Sequence, residues 1–245
     1  PYIILKLLAL ILVVQTLAHI AKRLLSSKNA LILSSIASGF VSSTATIASL
    51  GMEVRSGRAE ANSNAGAALM SCISTLLLLL IIVVGVSVSR LKVLIFPSLL
   101  AIIILALCAL WLLRNAKAVE NIELIDSRMF SLKEAAIIAG TLTIIQAGIY
   151  GLNLLLGDAG LIAGTLLASL FEIHAAAAAA AVVIQGDPTN STLLYAMILG
   201  LGAHAISKSI NATLTGGWKF ARVFVPVQIL HMLVLISVLC WITLR

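Results

Sequence analysis

Three side chains place a formal charge inside long apolar stretches of this chain: Lys6, Glu172 and Lys208. An ionisable group inside a membrane segment costs about 2.5–3.5 kcal/mol on insertion scales, so it marks a functional site by default. Lys6 lies near the end of its stretch, where its stem can carry the ammonium out to the headgroups. Lys208 has no such exit. It recurs with His204, Asn211 and Thr215 at i, i+4, i+7 and i+11, which is one face of a helix. A polar stripe of that kind should face a bundle interior or a water-filled cavity. Its plainer reading is an interhelical hydrogen-bond seam in which Lys208 pairs with an acid such as Glu172. Neutral His204 would add a titratable group near physiological pH.

Glu172 and His174 stand in Phe171-Glu172-Ile173-His174, directly before an alanine run from Ala175 to Ala181. Two positions on a helix are about 200° apart, so both can face one ligand only if the helix breaks there. The alanines suit close packing against a neighbouring helix. A second cluster, Ser42, Ser43, Thr44 and Thr46, puts four hydroxyls into one short stretch. Hydroxyls either bond back to their own helix and bend it or offer oxygens to a ligand where the helix unwinds. Gln15, His19 and Lys22 form a shorter stripe, as do Gln146, Tyr150 and Asn153, and helix-to-helix contact accounts for both. No glycine-rich phosphate loop, nucleophile elbow or HExxH helix is present, so no catalytic residue, metal site or cofactor is expected and the chain does not read as an enzyme.

The elements that must hold these residues are set by the surrounding apolar sequence. The chain is 61% hydrophobic and 10% charged, with a mean hydropathy of +1.16, whereas a soluble domain carries about 25% charged residues. Its apolar residues fall into about eight blocks of spanning length: 2–20, 30–50, 65–88, 91–113, 135–156, 160–184, 192–214 and 220–244. Continuous apolar runs such as Leu76 to Val84 lack the alternation of a barrel strand, so the blocks are helices. The expected fold is an all-α polytopic membrane protein. A net charge of +7 would suggest nucleic acid in a soluble domain, but the basic residues lie at block ends, where anionic lipid attracts them. Cys72, Cys108 and Cys240 lie inside blocks without metal-site spacing and read as small core residues.

The one long hydrophilic stretch, residues 114–134, divides four blocks from four within a single membrane domain covering 1–245. A shift of about 130 positions aligns the half 1–113 with the half 135–245. Arg90, Lys92, Pro97, Trp111 and Arg114 then match Lys219, Arg222, Pro226, Trp241 and Arg245, and Ala37-Ser38-Gly39-Phe40 matches Ala168-Ser169-Leu170-Phe171. Two four-helix pseudo-repeats are therefore expected, parallel if each half spans four times and inverted if the second block of each is re-entrant. Basic residues divide equally between the two sides, so they give no orientation.

The stretch Gly39-Phe40-Val41-Ser42-Ser43-Thr44-Ala45-Thr46 resembles the signature G-L-V-S-S-T-A-T-T of a prokaryotic membrane family. That family is the C-terminal membrane domain of MgtC/SapB-type proteins, catalogued as domain of unknown function 4010, and the likeness covers nearly the whole chain. The resemblance places Glu172 and His174 at two positions that are acidic in the family, and His204 to Lys208 on its N-x-x-x-K. The family's third-span arginine falls on Leu77, so that charge is lost here. The resemblance further implies an MgtC-like domain upstream of Pro1, and a place in the prokaryotic inner membrane.

Taken together, the residues lead to an expected transporter or channel for a small ion or polar solute. Ser43, Thr44, Glu172, His174, His204, Lys208 and Asn211 would line one site between the halves. The competing expectation is a structural or regulatory membrane domain that assembles with the upstream MgtC-like part or with further copies of itself. Water access separates the two: a transporter leaves His204 and Lys208 on a solvated cavity, and an assembly domain buries them in a dry seam.

Overall fold

The computed structural model describes residues 30–86, 88–114, 147–171 and 191–243, together with Val13, Ile144, Ile145 and Ile173. Among the described residues all regular structure is helical. The helices are α1 (Ala30–Arg55), α2 (Ala61–Val86), α3 (Val88–Arg114), α4 (Ala147–Leu156), α5 (Asp158–Phe171) and α6 (Ser191–Thr243). A chain this apolar has little choice, because a helix satisfies its own backbone where water cannot. The first block and the linker 114–134 lie outside the described residues, apart from Val13 and Arg114.

Three stretches are long and apolar enough to cross a membrane: Ala61–Val84, Val93–Arg114 and Tyr195–Ile242. The last holds 48 residues, and at about 1.5 Å per residue it is roughly twice the length of one crossing. It is divided at Gly217, whose φ of 66° and ψ of −174° suit a residue without a Cβ. The blocks 192–214 and 220–244 are thus the two arms of α6, folded at a single glycine. Exposed Trp218 and Lys219 follow the break, and these residue types favour the membrane–water boundary.

Helix α2 is the centre of the bundle. It packs against α1, α3 and α6, and α6 in turn meets α1, α3 and α5. The five-residue turn 56–60 folds α1 back on α2 as a hairpin. Asn64 fastens the hairpin, its Nδ2 donating to Leu50 O at 2.9 Å and to Glu53 Oε2 at 2.8 Å. Large apolar side chains point outward as well as inward: Leu107, Trp111, Leu214 and Phe171 are all more than half exposed. In water such a surface would aggregate, whereas against lipid it is the stable outer face.

The α1–α2 contact depends on Gly39, where an added Cβ would stand 2.6 Å from the backbone oxygen of Ser71. A backbone atom cannot swing aside as a flexible side chain can. Gly39→Ala is therefore expected to destabilise by about 1–3 kcal/mol through overpacking. Gly148→Ala, in α4 with open space around it, should be neutral or stabilising by up to about 1 kcal/mol. Thermal unfolding of the two variants in detergent checks the difference.

Candidate functional site

The hydroxyl cluster in α1 is where that helix breaks. Ser42 leaves the helical region, at φ −163° and ψ 104°, and its Oγ accepts from Ala45 N at 3.2 Å. That is the bond of an N-cap residue to the third position of a new helix. The segment 43–55 accordingly starts afresh inside the bundle. The first amides of such a segment have no acceptor in their own helix, and the end carries positive potential. Thr46 Oγ1 bonds back to Ser42 O at 2.9 Å, which steadies the corner.

Around this break the structure gathers five polar side chains from three helices. Lys208 Nζ, on the first arm of α6, donates to Thr75 Oγ1 of α2 at 3.0 Å. Thr75 donates onward to Ser43 Oγ of α1 at 2.8 Å. On its other side Lys208 reaches Cys72 Sγ at 3.9 Å, and Cys72 lies 3.4 Å from Gln228 Oε1 on the second arm of α6. The directions follow from chemistry. An ammonium can only donate, so the Cys72 sulfur accepts from it and gives its own proton to the Gln228 carbonyl. Gln228 Nε2 is thereby left as a buried donor with no partner. Lys208 itself is only 1% exposed, and among the described residues no carboxylate pairs with it.

The other expected site residues fall on the same interface with different attachments. Asn211 Nδ2 donates to Thr44 O at 2.9 Å, joining α6 to α1 just beyond the break. His204, 1% exposed, places Nδ1 2.9 Å from Ser169 O and so faces α5. Ser207 Oγ donates to Leu170 O at 2.6 Å beside it. The stripe His204, Lys208, Asn211 therefore lies on one continuous arm but fans across α5, α2 and α1 in turn. Glu172 and His174 lie outside the described residues.

Thr75 and Gln228 complete the cluster without having been singled out in the sequence, and Cys72, expected there as a small core residue, joins them. Ser71, Ser74 and Thr75 do form a hydroxyl patch like the one in α1, and Gln228 with His231 repeats at i and i+3. Those were the available signals. His231 is also buried, with Nδ1 bonded to Val227 O at 3.0 Å and Nε2 unpartnered. Among the described residues no three His, Cys, Asp or Glu side chains converge to hold a metal ion.

Compared with known proteins, a family whose description reads "Domain of unknown function (DUF4010)" matches residues 9–216. No curated protein and no solved structure matches the chain.

Removing one acceptor from a buried ammonium leaves the charge undercompensated, so Thr75→Val should destabilise by about 1–3 kcal/mol. In a Lys208→Met background the same change should cost less, about 0.5–1.5 kcal/mol, because only the bond to Ser43 is then lost. A double-mutant cycle on detergent-purified protein measures that coupling.

Proposed function

The chain belongs to the DUF4010 family, and for this member we propose a membrane transporter or channel that carries a small ion or polar solute through a site between its two halves. The observation that carries the proposal is Lys208: a buried ammonium beside a broken helix, held by hydroxyl and thiol groups. Broken helices at mid-bundle are how many transporters free backbone groups for a ligand, with half-helix ends aimed at the bound charge. The segment 43–55, capped by Ser42, has that form.

The architecture proposed with it has about eight spans in two four-helix halves related by duplication. Helix boundaries support this. The α2–α3 junction near residue 87 and the α6 break at Gly217 are separated by the same shift of about 130 that aligns Pro97 with Pro226. The close contact of Gly39 with Ser71 has its counterpart in Gly200, where an added Cβ would stand 2.6 Å from Ser169 Oγ. We further place the protein in the prokaryotic inner membrane, where the basic residues at block ends would meet anionic lipid.

One observation favours the second reading, a membrane assembly domain that joins an upstream MgtC-like part or further copies of itself. His204 and Lys208 are each 1% exposed, as in a dry seam. The same burial is required of a transporter whose site is closed. Vesicle flux separates the two. With reconstituted protein, uptake of chloride or rubidium should exceed that of empty vesicles, and Lys208→Met should abolish it while the protein still melts cooperatively. Wild-type vesicles no leakier than empty ones, or a fully active K208M, would favour the assembly domain.

A further inference from the structure

We infer that the cluster joining the Ser42 break to Lys208 and Gln228 binds a small monovalent anion. This rests on the reading of a solute site between the halves and names the class of ligand that the site takes.

The argument is a count of donors against acceptors. Thr75 Oγ1 accepts from Lys208 and spends its proton on Ser43, and Cys72 accepts from Lys208 and spends its proton on Gln228. The shorter bonds of the cluster run along these two chains, and among the described residues the groups left over are donors. The Ser43 hydroxyl keeps its own proton. Lys208 has three protons and, among the described residues, two partners, the second a sulfur at 3.9 Å, which accepts only weakly. The Gln228 amide nitrogen, on a residue with no exposed surface, has no partner among the described residues. Behind these stands the N-terminal end of the segment 43–55, whose field also favours a negative charge.

Charge sets the valence. Among the described residues Lys208 is the one formal charge in the cluster, so a single negative charge neutralises it, whereas a dianion would leave an uncompensated charge in low dielectric. Burial sets the size. With Lys208 1% exposed and α1 touching α2 at Gly39, the ion must be of a few atoms. A cation is disfavoured, because it would lie beside the Lys208 ammonium with no carboxylate among the described residues of the cluster to offset it.

The test is ligand stabilisation of the full chain in detergent, followed by flux. Chloride, titrated against gluconate at constant ionic strength, should raise the melting temperature saturably by at least about 2 °C, equally as its sodium, potassium and choline salts. Gln228→Glu installs a fixed carboxylate beside the ammonium. It should melt higher than wild type in chloride-free buffer and no longer respond to chloride. Lys208→Met, which removes the cation, should also lose the response. The inference is overturned if wild type shows no chloride response, if the response follows the cation, or if both variants keep it. A wild type indifferent to chloride together with a Glu172→Gln variant of lowered stability would identify Glu172 as the resident counterion instead. Chloride stabilisation without flux of chloride or rubidium would uphold the anion site and defeat the transport reading; rubidium flux without chloride stabilisation would do the reverse.

Discussion

Keeping one ammonium out of water is the constraint from which most of this interior follows. Desolvating a lysine costs several kcal/mol even after relaxation, and Lys208 is 1% exposed at the centre of the bundle. The groups that meet it, Thr75 and Cys72, both come from α2, and Thr75 reaches on to Ser43 of α1, so α1 and α2 must approach closely beside α6. Close approach needs small side chains, and the contact is made by Gly39 on Ser71. The hydroxyl of Thr75 then stands between Lys208 and Ser43 and serves both. Packing and polarity are therefore one problem here, because the residues that let the backbones touch are also those that leave the polar groups in reach.

The two interruptions of helix arise differently and act differently. Ser42, half-buried beside the polar cluster, breaks α1, and its own Oγ caps the helix that follows. The cost of the break is thus met locally, by the residue that makes it. Gly217 breaks α6 through a backbone conformation that side chains disfavour, with exposed Trp218 and Lys219 beside it. There the chain turns back, and the turn brings Gln228 of the second arm to the Cys72 that touches Lys208 of the first. A site drawing on both arms exists because the glycine allows them to fold together.

How much of this is legible in sequence depends on what kind of information a residue carries. The helices were legible from blocks of apolar residues, as was the interior-facing stripe of His204, Lys208 and Asn211, since polar groups in such blocks have few places to go. The hydroxyl cluster at 42–46 marked the break. The partners were harder to see. Helix α2 is apolar nearly all round, so periodicity gives it no preferred face, and Thr75 and Cys72 reveal their role only once Lys208 is placed beside them. Gln228 sits across the Gly217 break, where blocks 192–214 and 220–244 read as independent helices. His204 was read with Lys208 because they share a helix face, yet it bonds to Ser169 of α5. A stripe on a helix fixes a direction and not a single neighbour.

The division of labour along that stripe bears on how such a site could work. Asn211 ties α6 to the far side of the α1 break by an amide bond to Thr44 O, and His204 ties it to α5. Both are contacts with backbone carbonyls, which hold the arm in position. Lys208 lies between them and, among the described residues, is held by side chains alone, through one hydroxyl and one thiol. The charge is thus the least firmly compensated member of a braced row. Had the fold required only a rigid seam, an apolar residue at position 208 would serve at least as well, since replacing a buried charge by a well-packed apolar side chain is often neutral or stabilising. A buried ammonium kept under these terms is better explained by what it attracts than by what it holds together.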